Sequence, residues 1–375
     1  MSSEKKRKIS KENIVYLAAV LLILALCTAA YLSAGNTAFC DWWKLNVFKP
    51  YTDLASSITA GSKTSWGLKI AIVLLLYLFG MIVTVFFSVL FRTDSYKRFR
   101  NRYLKSVFVI FLSIVFLYEA MWYIPRNATL LNGSYALSTL VTGEDLLQLN
   151  NYLNLEIRDC EQHLDYFSNG EVNPNSNIEN IAAIRRSVKN LSTEFPYLKG
   201  ECPDAKIHSN SLLETILYSH GIYSFTLPLT GEMYMYSNYV DGSIDELPIF
   251  SIGDEIDVKI YTHVLAHHKG YFRESEAEFI SYKICTESDD PYIRYCGLKQ
   301  ACVLVGYELH QRGYLFDYNP DDYSDRSLTG PMKYKYGDHE EELGWMMEKK
   351  ISGDKVYDEL LSLMVEDYLR NKGDA

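Results

Sequence analysis

His263 and His267 stand four residues apart, and an acidic run, Glu274, Glu276 and Glu278, begins seven residues after the second. On a helix, residues i and i+4 project from one face, so both imidazoles can reach a single ion. Zinc takes such nitrogens at about 2.0–2.1 Å, and two histidines with one carboxylate form a hydrolytic donor set. Gly270 ends the first helix, and a second starts near Arg273. With about 100° of rotation per residue, Ala277, Phe279, Ile280 and Ile284 mark the buried side of the second helix. Glu276 falls within their arc, while Glu274 and Glu278 fall roughly opposite, toward solvent. A core-facing charge is expensive unless it is paired, and a metal held by the preceding helix would pair it. Glu276 is therefore the expected third ligand to Zn2+. The competing account is a chance histidine pair among eight histidines, beside an ordinary acidic surface helix.

The elements that must hold these residues are mostly helical. Apolar periodicity predicts helices over 258–268 and 273–286 for the site itself, and over 143–160, 178–195, 291–312 and 353–371 around it. An Asn-, Gly- and Pro-containing loop is expected at 169–177. Extended loops or short strands are expected between 197 and 260, and a Tyr-, Asp- and Gly-rich covering loop at 313–345. The fold class read from this pattern is mainly α. Seven cysteines match no zinc-ribbon spacing, and Cys285, Cys296 and Cys302 read as small core residues.

The mean hydropathy of −0.09 averages two unlike parts. Residues 1–124 carry a net charge of +9, which leaves −19 of the chain's −10 for residues 125–375. An acidic domain of that kind lacks the basic footprint that nucleic acid needs. The basic part contains three apolar runs, about 13–34, 67–91 and 104–123, each long enough to cross a hydrocarbon core of roughly 30 Å. Basic residues precede the first run and fill the link between the second and third (Arg92, Lys97, Arg98, Arg100, Arg102, Lys105). The positive-inside bias predicts a multi-pass plasma-membrane protein with a cytoplasmic N-terminus. Residues 1–12 are then a cytoplasmic segment, 13–124 a three-helix anchor in the lipid bilayer, and 125–375 an extracytoplasmic domain. Trp42, Trp43, Trp66, Trp122 and Tyr123 are placed as interfacial anchors at the outer ends. The first run is longer than the apolar core of a signal peptide, so it is read as an uncleaved anchor. Glu119 is placed within reach of the membrane interface, and the spans lack the central polar residues that a transport pathway would need.

The chain resembles an uncharacterised bacterial family of three-span, membrane-bound predicted zinc metallopeptidases. The family's signature, a His-Glu-Leu-Ala-His helix followed by Glu-x-Glu-Ala-Asn-Phe, reads here as His263-Val-Leu-Ala-His267 and Glu274-Ser-Glu276-Ala-Glu-Phe279. The likeness extends upstream through Gly221 to Glu232 and Leu247-Pro248, and downstream from Cys285 to Gly297. It implies a gluzincin-like, zincin-type helical domain with His263, His267 and Glu276 on zinc, cutting peptides or proteins outside the cytoplasm. The departures bear on chemistry. The residue after the first histidine in such enzymes is a glutamate acting as general base, and here it is Val264; the family's Asn is Glu278. Val264 marks a natural pseudoenzyme, a replacement one nucleotide away from Glu, or a site that recruits another base. His268 and Glu274 are the nearest substitutes by sequence, and neither points well. Tyr271 and His310 are candidate oxyanion donors that read equally as packing and surface residues. Two functions follow: a membrane-anchored peptidase with impaired hydrolysis, or a catalytically inactive extracytoplasmic binding or regulatory domain.

Overall fold

The computed structural model describes residues 11–59, 66–91, 94–135, 141–168, 170, 172–200, 202, 205–207, 229–235, 255–314 and 355–373. The chain divides into two compact units, residues 1–129 with 211–232, and 130–210 with 233–375. The fold is mainly α; of the loops expected over 197–260 and 313–345, residues 208–228, 236–254 and 315–345 lie outside the described residues.

In the first unit, α1 (Lys11–Ser33), α4 (Trp66–Leu90) and α5 (Asp94–Tyr118) contain the three apolar runs. All three are long and apolar enough to cross a membrane, over Lys11–Ser33, Lys69–Ser88 and Ser95–Arg126. The last of these includes a π-helical turn, Glu119–Tyr123, that continues α5. Helices α1 and α5 run parallel. Their N-terminal ends are joined by the ion pair between Arg102 and Glu12 at 2.7 Å, and Tyr31 stacks on Tyr123 toward the other ends, with ring centroids 5.8 Å apart. Helix α4 returns beside α5, where the Tyr103 hydroxyl donates to the Tyr77 carbonyl at 2.6 Å. Between α1 and α4 lie α2 (Thr37–Trp43) and α3 (Lys49–Thr59). Residues 229–232 fold onto α3 and cap α4: the Glu232 carboxylate accepts from the Trp66 and Gly67 amides at 2.9 and 3.0 Å. Gly231, at φ +59°, permits this approach, because a Cβ there would stand 2.6 Å from the Ser56 nitrogen.

The second unit is built from α6 (Gly143–Glu161), α7 (Asn177–Leu191), α8 (Glu255–His268), α9 (Glu274–Thr286), α10 (Pro291–Gln311) and α11 (Val356–Gly373). Two three-residue strands, β1 (Ala205–Ile207) and β2 (Met233–Met235), pair in parallel, and β2 packs on α8. Capping boxes start α6 and α7: Thr142 and Asp145 exchange bonds at the first, Ser176 and Glu179 at the second. Helix α9 is the centre of the unit, packed against α7, α8, α10 and α11. Its residues from Ser275 to Ser281 are all buried, with Lys283, Ile284 and Cys285 beyond them. A helix enclosed on every side has no solvent face. Its polar side chains must therefore find partners inside. Lys283 does so with Asp367 at 2.8 Å, and Tyr135 joins Asp367 to Glu194 at 2.9 and 2.8 Å.

Helix α10 approaches α9 closely at Gly297, where an added Cβ would stand 2.3 Å from the Cys285 Cβ. Neither helix can yield without moving the core. Gly297→Ala is expected to cost about 1–3 kcal/mol, read as a lower unfolding midpoint of the full chain in detergent by circular dichroism.

Candidate metal centre

Helix α8 presents the histidines, and its end is set by Gly270 at φ +102°. The Gly270 amide donates to the His267 carbonyl at 2.9 Å, and the Tyr271 amide reaches back to Ala266 at 3.1 Å. These two bonds form a Schellman termination, which only a left-handed residue closes easily. The turn brings the Tyr271 carbonyl to 2.7 Å from His267 Nδ1. A carbonyl only accepts, so Nδ1 carries the proton and Nε2 faces the site.

After the turn α9 runs back along α8, and its acids meet the histidines rung by rung. Glu274 Oε2 lies 3.3 Å from His267 Nε2 and 3.4 Å from His263 Nε2. Glu278 Oε1 lies 3.2 Å from His263 Nδ1, and its other oxygen is 3.4 Å from Lys259 Nζ, one turn earlier on α8. The two imidazoles are nearly perpendicular, with centroids 4.6 Å apart. The donor atoms of His263, His267 and Glu274 all lie within 4.8 Å of one another. Ligands at 2.0–2.1 Å around one tetrahedral ion stand roughly 3.3 Å apart, which matches the two carboxylate–imidazole spacings. The outward nitrogen of His267 meets a carbonyl acceptor, as in imidazoles that ligate metals, whereas that of His263 lies 3.2 Å from the Glu278 carboxylate without hydrogen-bond geometry.

The structure corrects the expected orientation of the three acids. Glu278 does not face solvent, at 7% exposed, and Glu274, though 38% exposed, turns onto the histidine pair. The helical-angle reading took the apolar arc as the only inner side, but α9 is packed all round. Glu276, expected at the histidines, directs Oε1 to the Leu131 amide at 2.8 Å and Oε2 to the Arg273 amide at 3.5 Å. Val264, next to His263, is partly buried against the apolar core and offers no proton acceptor. Tyr271 is buried, and its carbonyl serves His267; the side chain of His310 lies outside the described residues. Sequence reading missed Lys259 altogether. Its signal was the four-residue step to His263, which places both on one helix face.

The charges within the cluster are coupled. Burial pulls His263 toward its neutral form, but the Glu278 and Glu274 carboxylates outweigh this and raise its pKa to about 10. Burial works against ionised Glu274 as well, yet the hydrogen-bonding imidazoles of His263 and His267 hold it well below the usual carboxylate range. In metal-free protein a charged His263 therefore stabilises the fold fully below its ordinary pKa of 6.5, and this stabilisation is lost as pH rises to about 10. Glu274 acts in the opposite sense, stabilising above its ordinary 4.5 and losing that contribution as pH falls. The unfolding midpoint of chelator-treated protein is expected to decline between pH 6.5 and 10. His263→Gln should flatten that alkaline limb, and equal limbs in both proteins would count against the coupling.

Comparison with known proteins places this hairpin within a wider likeness. A search of curated proteins finds no match, and neither does a search of solved structures. A family model described as "Protein of unknown function (DUF3810)" matches residues 43–362, which take in α4, α5, the histidine helix and the acidic helix. With most of its length under that one model, the chain belongs to the DUF3810 family.

Proposed function

We propose that this protein is a membrane-anchored, zinc metallopeptidase-like protein in which Val264 impairs hydrolysis. The observation that carries the reading is the convergence of His263 Nε2, His267 Nε2 and Glu274 Oε2, with the outward nitrogen of His267 bonded to the Tyr271 carbonyl and that of His263 3.2 Å from Glu278. A bound zinc ion would polarise a scissile carbonyl and bring the pKa of coordinated water toward 7. The chain's own residues supply the rest. Glu274 balances charge and closes the donor set, the Tyr271 carbonyl orients His267, and Glu278 with Lys259 orients His263. Taking a proton from the attacking water and passing it to the leaving amine needs a carboxylate beside His263, and a valine there forfeits general acid–base assistance worth typically 10²–10⁴-fold.

Val264 equally favours a second reading, an inactive domain that binds peptide or protein as a receptor or regulator. Both readings place the domain outside the cytoplasm. The parallel packing of α1 and α5 supports that topology, because the Arg102–Glu12 pair and the Lys105–Asn13 hydrogen bond set the start of α1 and the basic end of α5 on one side. The positive-inside rule makes that side cytoplasmic.

Metal analysis of the purified full chain should find one zinc per chain, absent in His263→Ala. Glu274→Gln is expected to weaken zinc binding more than Glu276→Gln, and Glu278→Gln by about 10–100-fold, as for other partners of ligating histidines. No retained metal, or equal losses for Glu274→Gln and Glu276→Gln, would overturn the donor set. Val264→Glu then separates the two readings: a gain of peptidase activity of order 10²-fold or more indicates a disabled protease, and continued inactivity with zinc bound indicates a binding domain.

A further inference from the structure

We propose that the basic end of α5 is a binding surface for the headgroups of anionic phospholipids. The apolar helix that contains it runs for 32 residues, Ser95–Arg126. At 1.5 Å per residue that is about 48 Å, against a hydrocarbon core of roughly 30 Å. About a dozen residues must therefore lie in the headgroup region or beyond it. The end that projects is the polar one, where Lys97, Arg98, Arg100, Arg102 and Lys105 are accompanied by a single acid, Asp94.

The arrangement of side chains points the same way. Tyr96, Phe99 and Tyr103 lie on one arc of the helix. Tyr96 stacks on Phe91 with centroids 5.8 Å apart, Phe99 stacks on Tyr103 at 6.0 Å, and Tyr103 meets Tyr77 at 4.8 Å. This ladder fixes α5 against α4 and leaves Tyr96 and Phe99 partly exposed, at 43% and 56%, where an interfacial aromatic belt belongs. Lys97, Arg98 and Arg102 are exposed on the remaining arc. Arg102 and Lys105 are partly engaged with Glu12 and Asn13 of α1. The two acids, Asp94 and Glu12, do not offset five bases, so the patch stays positive. Juxtamembrane clusters of four to eight bases attract anionic headgroups, with each base contributing roughly a fivefold preference. A membrane-crossing helix and an aromatic belt at the same level favour lipid over a soluble acidic partner.

The test uses the full chain reconstituted in phosphatidylcholine vesicles that contain spin-labelled phosphatidylglycerol or spin-labelled phosphatidylcholine. The protein should immobilise the anionic label preferentially. That preference should fall at least roughly fivefold in the combined variant Lys97→Gln, Arg98→Gln, Arg100→Gln, whose helix content is checked in parallel. If the variant does not fold, raising ionic strength on the unmodified protein must remove the preference instead. Equal immobilisation of both labels, a preference unchanged by variant or salt, or displacement by inorganic phosphate at matched concentration would each overturn the proposal.

Discussion

The second unit depends on an electrostatic match between two antiparallel helices. Helix α8 places Lys259, His263 and His267 at successive four-residue steps, and α9 places Glu274 and Glu278 at the same step. Because the Gly270 turn reverses the chain, the ladders interleave: His267 meets Glu274, His263 meets both acids, and Glu278 also meets Lys259. None of these charges would be tolerable alone in a packed interior, and removing one member of such a set strands the others. The same geometry admits either of two occupants between the imidazoles and Glu274. Without metal, the Glu278 and Glu274 carboxylates outweigh the burial of His263 and hold a proton on it, raising its pKa to about 10. With metal that proton must leave, since ligation uses the neutral imidazole. Under the proposed function, an ion and the proton on His263 would compete for that position.

Val264 becomes informative against that arrangement. Under the proposed function the metal-binding residues are in place, and what Val264 removes is the general base. A valine beside His263 packs on the core at little cost, so its effect falls on chemistry rather than on folding. This asymmetry separates metal binding from turnover. It makes both a disabled hydrolase and a binding domain consistent with the same packing.

Much of the architecture was legible from the sequence because its signals are local. The apolar runs are too long to be anything but spans or buried helices, and α8, α9, α10 and α11 follow apolar periodicity to within a few residues at each end. The histidine pair was legible from its spacing alone. The identity of the acid that joins it was not, because helical angles give direction relative to a helix and not to the surroundings. Treating α9 as amphipathic pointed Glu276 inward and its neighbours outward. A helix covered on all sides has several inner faces, and only the packing of α7, α8, α10 and α11 shows which acid meets which partner. The spacing of Glu274 and Glu278, equal to that of the histidines across a short glycine turn, was the overlooked clue.

The fates of the acids on α9 follow from one requirement, that no buried charge be left unpaired. Glu276 sits at the third position of the helix, where its carboxylate can reach back to the Arg273 amide, and its other oxygen holds the Leu131 amide. Leu131 has φ +44°, a conformation uncommon for a leucine, and the bond from its amide to Glu276 helps to hold it there. Turning Glu276 onto the histidines would orphan that buried amide, at a cost of about 1–3 kcal/mol. Glu274 faces no such conflict. At the first residue of the helix it is partly exposed and holds no backbone amide, so its carboxylate meets both imidazoles, while Glu278 meets only His263.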